Sequence, residues 1–155
     1  MGNKGDKKIR RQETRRYRYW RTCLFALTTI ILLAGCSRED SCNTPFGEGA
    51  QIDIYMPDFA SLQNVGGTVT VNRGHKGIFV RRISYSEFVA FECACPNDHE
   101  VGLQPLEDWN GEVLKCPSCG SMYETINGQP LEGAASGCPL YEYYTSFDGY
   151  ILTVY

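Results

Sequence analysis

Thr68-Val69-Thr70-Val71, Gly77-Ile78-Phe79-Val80-Arg81 and Glu87-Phe88-Val89-Ala90-Phe91 follow one another across turn-rich gaps, and the third run leads into Glu92-Cys93-Ala94-Cys95. Each run is short and rich in β-branched or aromatic residues, which fit a pleated, half-buried surface better than a helix. The same texture recurs at Ile52-Asp53-Ile54-Tyr55, Glu112 to Leu114, Tyr141 to Thr145 and Tyr150 to Tyr155. Asn72 to Gly77, Asn127-Gly128 and Asp148-Gly149 supply turn residues that tolerate positive φ. No stretch carries a long apolar stripe of period 3.6, and only Asp58 to Asn64 reads as a helical turn. The expected fold class is therefore all-β, an antiparallel sandwich or barrel.

The N-terminal part reads differently. Residues 1–21 hold nine Lys or Arg against Asp6 and Glu13, and an apolar run from Cys23 to Ala34 follows. That run is shorter than the roughly 20 residues a membrane-spanning helix needs, so residues 1–35 read as a signal peptide, with an uncleaved signal anchor as the alternative. Leu33-Ala34-Gly35-Cys36 resembles the lipobox of bacterial lipoproteins. The resemblance implies that Cys36 is lipidated and becomes the mature N-terminus, which locates the chain in the bacterial cell envelope, held to a membrane on its periplasmic or surface side.

Removing the leader changes the electrostatics. The whole chain carries −3, but residues 36–155 keep six basic residues against sixteen acidic ones, a net of −10. Such a domain repels nucleic acid and anionic headgroups, so the basic leader is not a binding patch. Ser37 to Ala50 is polar, with Pro45, Gly47 and Gly49, and reads as a tether. The expected organisation is a leader over 1–35, a lipidated tether over 36–50 and one β domain over 51–155.

Chemistry is concentrated in Cys93, Cys95, Cys116 and Cys119. Thiols one or two residues apart can reach the same metal centre, and a second close pair about twenty residues on can clamp it from another loop. Pro96, Gly102, Pro105 and Gly111 make the interval loop-like, a hairpin excursion whose ends close at modest entropy. Cys116-Pro117-Ser118-Cys119-Gly120-Ser121 forms the second loop, where Gly120 lets backbone N–H groups approach a sulfur. Three closures stay open at this level: an iron-sulfur cluster, a zinc ion, or disulfides. In an exported chain the six cysteines beyond Cys36 suffice for three disulfides and fifteen pairings.

These residues, from Gly66 to Tyr155, resemble the Rieske iron-sulfur domain. The likeness is carried by the strand reaching Phe88-Val89-Ala90, the two cysteine loops with the second ending Cys119-Gly120-Ser121, and Asn127-Gly128-Gln129-Pro130-Leu131-Glu132-Gly133-Ala134-Ala135. Pro139-Leu140, Tyr143 or Tyr144, and a closing strand after Asp148-Gly149 continue it. The resemblance implies a 2Fe-2S cluster, one-electron transfer and an envelope redox partner. In that family each loop gives one cysteine to the inner iron and one histidine to the outer iron. Here Cys93 and Cys116 take the cysteine positions, and Cys95 and Cys119 stand where histidines are expected. A second register makes Cys95 the first ligand, with His99 beside it. Replacing two imidazoles by two thiolates takes the oxidised cluster from about 0 to about −2, which moves its potential toward about −400 mV.

Cys42 and Cys138 fit no ligand pattern, and a disulfide between them would pin the tether to the domain. His75, Trp109, the tyrosines at 141, 143, 144, 150 and 155, and Arg81-Arg82 read as turn, core or solvated-edge residues. No hydrolytic triad, His-Glu-x-x-His or phosphate loop is present, so no autonomous catalytic site is expected. The competing functional class is a binding or structural lipoprotein whose thiols are closed by zinc or by disulfides.

Overall fold

A computed structural model describes residues 42–155. The signal-peptide reading of residues 1–35, the lipidation reading of Cys36 and the start of the tether lie outside the described residues. The strands in chain order are β1 (Ala50–Asp53), β2 (Thr68–Val71), β3 (Ile78–Arg82), β4 (Phe88–Glu92), β5 (Ala94–Cys95) and β6 (Asp98–Gly102). They continue with β7 (Gln104–Pro105), β8 (Val113–Lys115), β9 (Met122–Glu124), β10 (Glu142–Tyr143), β11 (Thr145–Phe147) and β12 (Ile151–Val154). Named pairings are all antiparallel, and the sheets run β1-β12-β11, β10-β4-β3-β2, β5-β6 and β7-β8-β9. The chain is thus all-β. Among the described residues helix is confined to two 3-10 segments, Pro57–Gln63 and Glu107–Trp109, and none is long and apolar enough to cross a membrane.

Strand parity explains the layering. Ile78, Val80, Phe88 and Ala90 face Ile52, Leu152 and Val154 of the β1-β12-β11 sheet, forming one core. Their odd-numbered or alternate neighbours Phe79, Val89 and Phe91 face the other way, against Leu103, Leu114, Tyr123, Leu140 and the cysteine loops. The centre of the β10-β4-β3-β2 sheet therefore has no solvent face, which is why all five residues of β4 are buried. Each large apolar side chain so enclosed contributes about 1.5–3 kcal/mol relative to exposure. The cysteine loops are thus seated on the second face of a sheet whose first face is already packed.

Tyr141 to Thr145 reads in sequence as one strand, but the structure splits it. β10 pairs with β4 in one sheet and β11 with β12 in the other, so the chain crosses between sheets at Tyr144, which is left exposed. Arg81 and Arg82 are also not a solvated edge. Arg82 is buried, donates to the carbonyls of Leu62 (2.9 Å), Gln63 (3.1 Å), Ser84 (3.0 Å) and Tyr85, and lies over the Phe88 ring. Arg81 donates to the Thr125 hydroxyl at 2.8 Å and lies 3.6 Å from the Glu112 carboxylate. Their guanidinium groups satisfy carbonyls that the adjoining 3-10 turn and loops leave unpaired.

From Cys42 onward the segment read as a tether lies against the domain. Cys42 is disulfide-bonded to Cys138, a closure of 96 residues in sequence. Thr44 is buried, and Phe46 stacks on Tyr141 with ring centroids 4.2 Å apart. The Gly47 N–H donates to the Tyr143 hydroxyl at 3.1 Å, and the Gly74 N–H donates to the Glu48 carbonyl at 3.0 Å. From Cys42 onward the segment is fastened to the domain.

Glu92 ends β4 and is fully buried. Its carboxylate accepts from the N–H groups of His75 (2.7 Å), Lys76 (2.8 Å) and Ala94 (3.2 Å) and from the Tyr143 hydroxyl (2.7 Å). Gly74, at φ +75°, passes so close that a Cβ there would lie 2.5 Å from Glu92 Oε2. Glu92→Gln puts an N–H₂ donor where N–H donors already point, and should cost about 2–4 kcal/mol. Urea unfolding of the variant against the parent measures this; an unchanged midpoint would show that the carboxylate is not needed to hold the turn.

Candidate metal centre

Two hairpins bring the cysteines together. In the first, Cys95 on β5 pairs with Asp98 on β6 around Pro96-Asn97, with a register irregularity between Ala94 and Cys95. In the second, the Cys116 N–H donates to the Ser121 carbonyl (2.8 Å) and the Gly120 N–H donates to the Cys116 carbonyl (3.0 Å). Gly120 has φ +75° and open space around its Cα, so it is the backbone angle that calls for glycine. The Ser118 hydroxyl reaches Asp98 Oδ2 at 3.4 Å from one hairpin tip to the other.

The sulfurs of Cys95, Cys116 and Cys119 lie within 4.8 Å of one another, and Cys95 Sγ and Cys119 Sγ are 3.7 Å apart. Two thiolates each about 2.3 Å from one tetrahedral ion are held about 3.8 Å apart. The Cys95–Cys119 pair already has the edge length of such a site. Cys93, Cys95, Cys116 and Cys119 all carry free thiols. Cys93 shares the apolar cluster that contains the other three but stands outside the group of three convergent sulfurs. The irregularity after Ala94 breaks the alternation that would otherwise set Cys93 and Cys95 on one face. His99 is not among the convergent groups; it lines a separate cavity of about 400 Å³ with Cys42, Asn43, Thr44, Pro45, Pro96 and Cys138.

The three-thiol group can hold a metal ion, and its surroundings are graded from dry to wet. Cys93, Cys95 and Cys116 are buried, and Cys119 is half-buried. Burial pushes the Cys93 thiol up to about 12, reinforced by the charge of Glu92. Burial likewise pushes Cys95 up to about 12, opposed by hydrogen bonds from the Asn97 and Asp98 backbone. Cys119 goes the other way: its hydrogen bond to the Ser121 side chain brings it down to about 7. The Cys119 thiol lies 3.1 Å from Ser121 Oγ, which also accepts from the Ala135 N–H at 2.8 Å. With its own proton free to turn, the Ser121 hydroxyl can donate to a thiolate at Cys119.

Tyr123 lies in the same apolar cluster. Its hydroxyl is buried and has no hydrogen-bond partner among the described residues. Burial, and then the charge of Cys95, raise its pKa. A buried donor left without an acceptor in the same cluster as the cysteines, together with three convergent sulfurs, fits a site that holds a thiolate-bound group. Ser121 and Tyr123 were not legible as functional from sequence. The available signal was the i, i+2 spacing of Ser121 and Tyr123, which sets both on one side of the extended chain that leaves the second cysteine loop.

No family model matches the chain, and no curated protein matches it. Among solved structures it is similar to the ferredoxin of carbazole 1,9a-dioxygenase from Nocardioides aromaticivorans IC177, with 16% identity over 61% of this chain and 90% of that one and a TM-score of 0.39. It is also similar to a chain of the complex of reduced oxygenase and oxidized ferredoxin in carbazole 1,9a-dioxygenase, with 21% identity over 72% of this chain and 94% of that one and a TM-score of 0.43.

In metal-free, anaerobically reduced protein, Cys119 should react with iodoacetamide before Cys93, Cys95 and Cys116, because it is the most exposed thiol of the four and its own pKa is brought down to about 7. Removing the donor in Ser121→Ala should move the midpoint of its pH–rate profile upward from about 7. Peptide mapping with mass spectrometry reads both results; equal labelling of the four thiols would contradict the graded burial.

Proposed function

We propose that the chain is a lipid-anchored, Rieske-like 2Fe-2S protein that carries single electrons in the bacterial cell envelope. The observation that carries this reading is the convergence of Cys95 with Cys116 and Cys119 from two hairpins, with free thiols and a 3.7 Å sulfur pair. Under the Rieske resemblance, Cys95 and Cys119 take the two outer-iron positions, and two ligands of one iron must lie about this close. Cys116 and Cys93 would hold the inner iron, deeper in the apolar cluster. When bound, such a cluster takes up and releases one electron without breaking covalent bonds in the protein.

The chain's own residues set the conditions for that exchange. Leu103, Leu114, Leu140, Phe79 and Phe91 exclude water from the inner side. The Asn97, Asp98 and Ser121 backbone groups and the Ser121 hydroxyl are positioned to stabilise thiolate charge, which partly offsets the lowered potential expected for four cysteines. Half-buried Cys119 makes the shortest route from the centre to a partner at the loop tips. The Cys42–Cys138 disulfide supports export to an oxidising compartment, in keeping with the lipobox at Cys36.

A single zinc ion is the second reading, because one tetrahedral ion accounts equally for the sulfur spacing and needs no redox partner. Metal and sulfide analysis of anaerobically purified protein decides between them. The cluster reading expects about two irons and two sulfides per chain, with visible absorption that bleaches on dithionite. Cys95→Ser or Cys119→Ser should abolish or shift that absorption, whereas Cys42→Ser should leave it. Colourless protein with one zinc per chain, or with no metal, would falsify the electron-transfer reading.

A further inference from the structure

We propose that the metal-bearing tip of the domain faces the membrane to which the chain is anchored, so that the bilayer surface is what lies opposite the two cysteine hairpins. This rests on the lipid-anchor reading above. The disulfide fixes where the anchoring segment meets the domain. Cys42 is bonded to Cys138, and Cys42, Asn43, Thr44 and Pro45 line one cavity with Pro96 and His99, the residues that follow the candidate ligand Cys95. The segment bearing the anchor therefore joins the fold at the metal end. Six residue steps from Cys36 to Cys42 span at most about 22 Å even when fully extended.

The opposite end cannot take that place as readily. β3 leads away from Gly77 and β4 returns to Cys93, the two residues hydrogen-bonded at 2.8 Å, so the turn that carries exposed Tyr85 lies at the far end of the pair. With five residues in β4, that turn lies about 17 Å beyond Cys93 at roughly 3.3 Å per residue. Charge permits this orientation without selecting it over the opposite end, where Ile83–Ser86 also carry no Asp, Glu, Lys or Arg. Residues 42–155 carry five basic and fourteen acidic residues, a net of −9, yet Ala94–His99, Cys116–Ser121 and Gly133–Leu140 contain Asp98 as their one Asp, Glu, Lys or Arg. An anionic bilayer repels the acidic body and tolerates the nearly neutral tip. A redox partner of this centre must then lie in or on the same bilayer.

The test uses the full chain, matured in cells and reconstituted in vesicles of phosphatidylethanolamine and phosphatidylglycerol that carry a headgroup acceptor dye. A fluorescent non-natural residue is placed at Ser118 or at Tyr85, and mass spectrometry reports acylation of Cys36. Energy transfer to the headgroups should be at least about twofold stronger from position 118 than from 85, given their separation of about 17 Å or more along the strand direction. A flexible Gly/Ser insertion between Ser41 and Cys42, outside the disulfide-closed loop, should erase the contrast by freeing the domain to tumble. Acylated protein with equal or reversed transfer overturns the orientation and leaves the anchor standing. Contrast that survives the insertion overturns the short tether as its cause. Unacylated Cys36 removes the anchor reading and the orientation with it.

Discussion

A buried carboxylate needs compensating donors, and at Glu92 four of them arrive from separate parts of the chain. The Gly74–Lys76 turn gives two backbone N–H groups, the start of β5 a third, and Tyr143 on β10 its hydroxyl. Taking a carboxylate out of water costs several kcal/mol unless such bonds are made. The arrangement therefore specifies one geometry: the β2–β3 turn, the sheet's edge strand and the first cysteine loop must all be in place together. Tyr143 extends the network to Gly47, so that the N-terminal segment is locked by the same group that sets the departure of the chain toward Cys93 and Cys95.

The doubly packed central sheet does the rest of the positioning. A sheet with one wet face would let loops on that face shift; here Phe79, Val89 and Phe91 press upward into the residues that bracket the thiols. The two hairpins are consequently held by side-chain packing from below and by backbone hydrogen bonds within each loop. The resulting gradient, from apolar Leu114 and Cys116 to half-exposed Cys119, is what a centre needs if charge is to be held inside and reached from one side.

Much of this was written in the sequence in short-range form. The β-branched and aromatic runs Thr68–Val71 and Gly77–Arg81 marked the strands, and Cys116-Pro117-Ser118-Cys119-Gly120 marked a ligand-type loop, because both signals depend on neighbouring residues. What stayed hidden depended on distant partners. Nothing local in Glu92 announces that it is buried, since its burial is compensated by Tyr143, 51 residues away. Arg82 looks like a strand-edge charge until Leu62 and Gln63 present their carbonyls. The break at Tyr144 follows from the two sheets' separation, and the fastening of Cys42–Gly49 from contacts with β10 and its flanks. Nothing local marks Tyr123, and only the packed fold shows its hydroxyl buried without a partner in the cysteine cluster.

The cysteines of the described domain occupy two oxidation states at once. One pair, Cys42 and Cys138, is joined, while four thiols remain reduced, two of them with sulfurs 3.7 Å apart. An oxidant able to make the first bond can also couple Cys95 to Cys119, and that product could no longer bind metal through both. If the group of three convergent thiols takes up a metal, loading has to precede or outrun exposure to such an oxidant, and the metal would then protect its own ligands. A chain oxidised before loading would carry a second disulfide, with two hydrogens fewer, in place of two of its candidate metal-binding thiols.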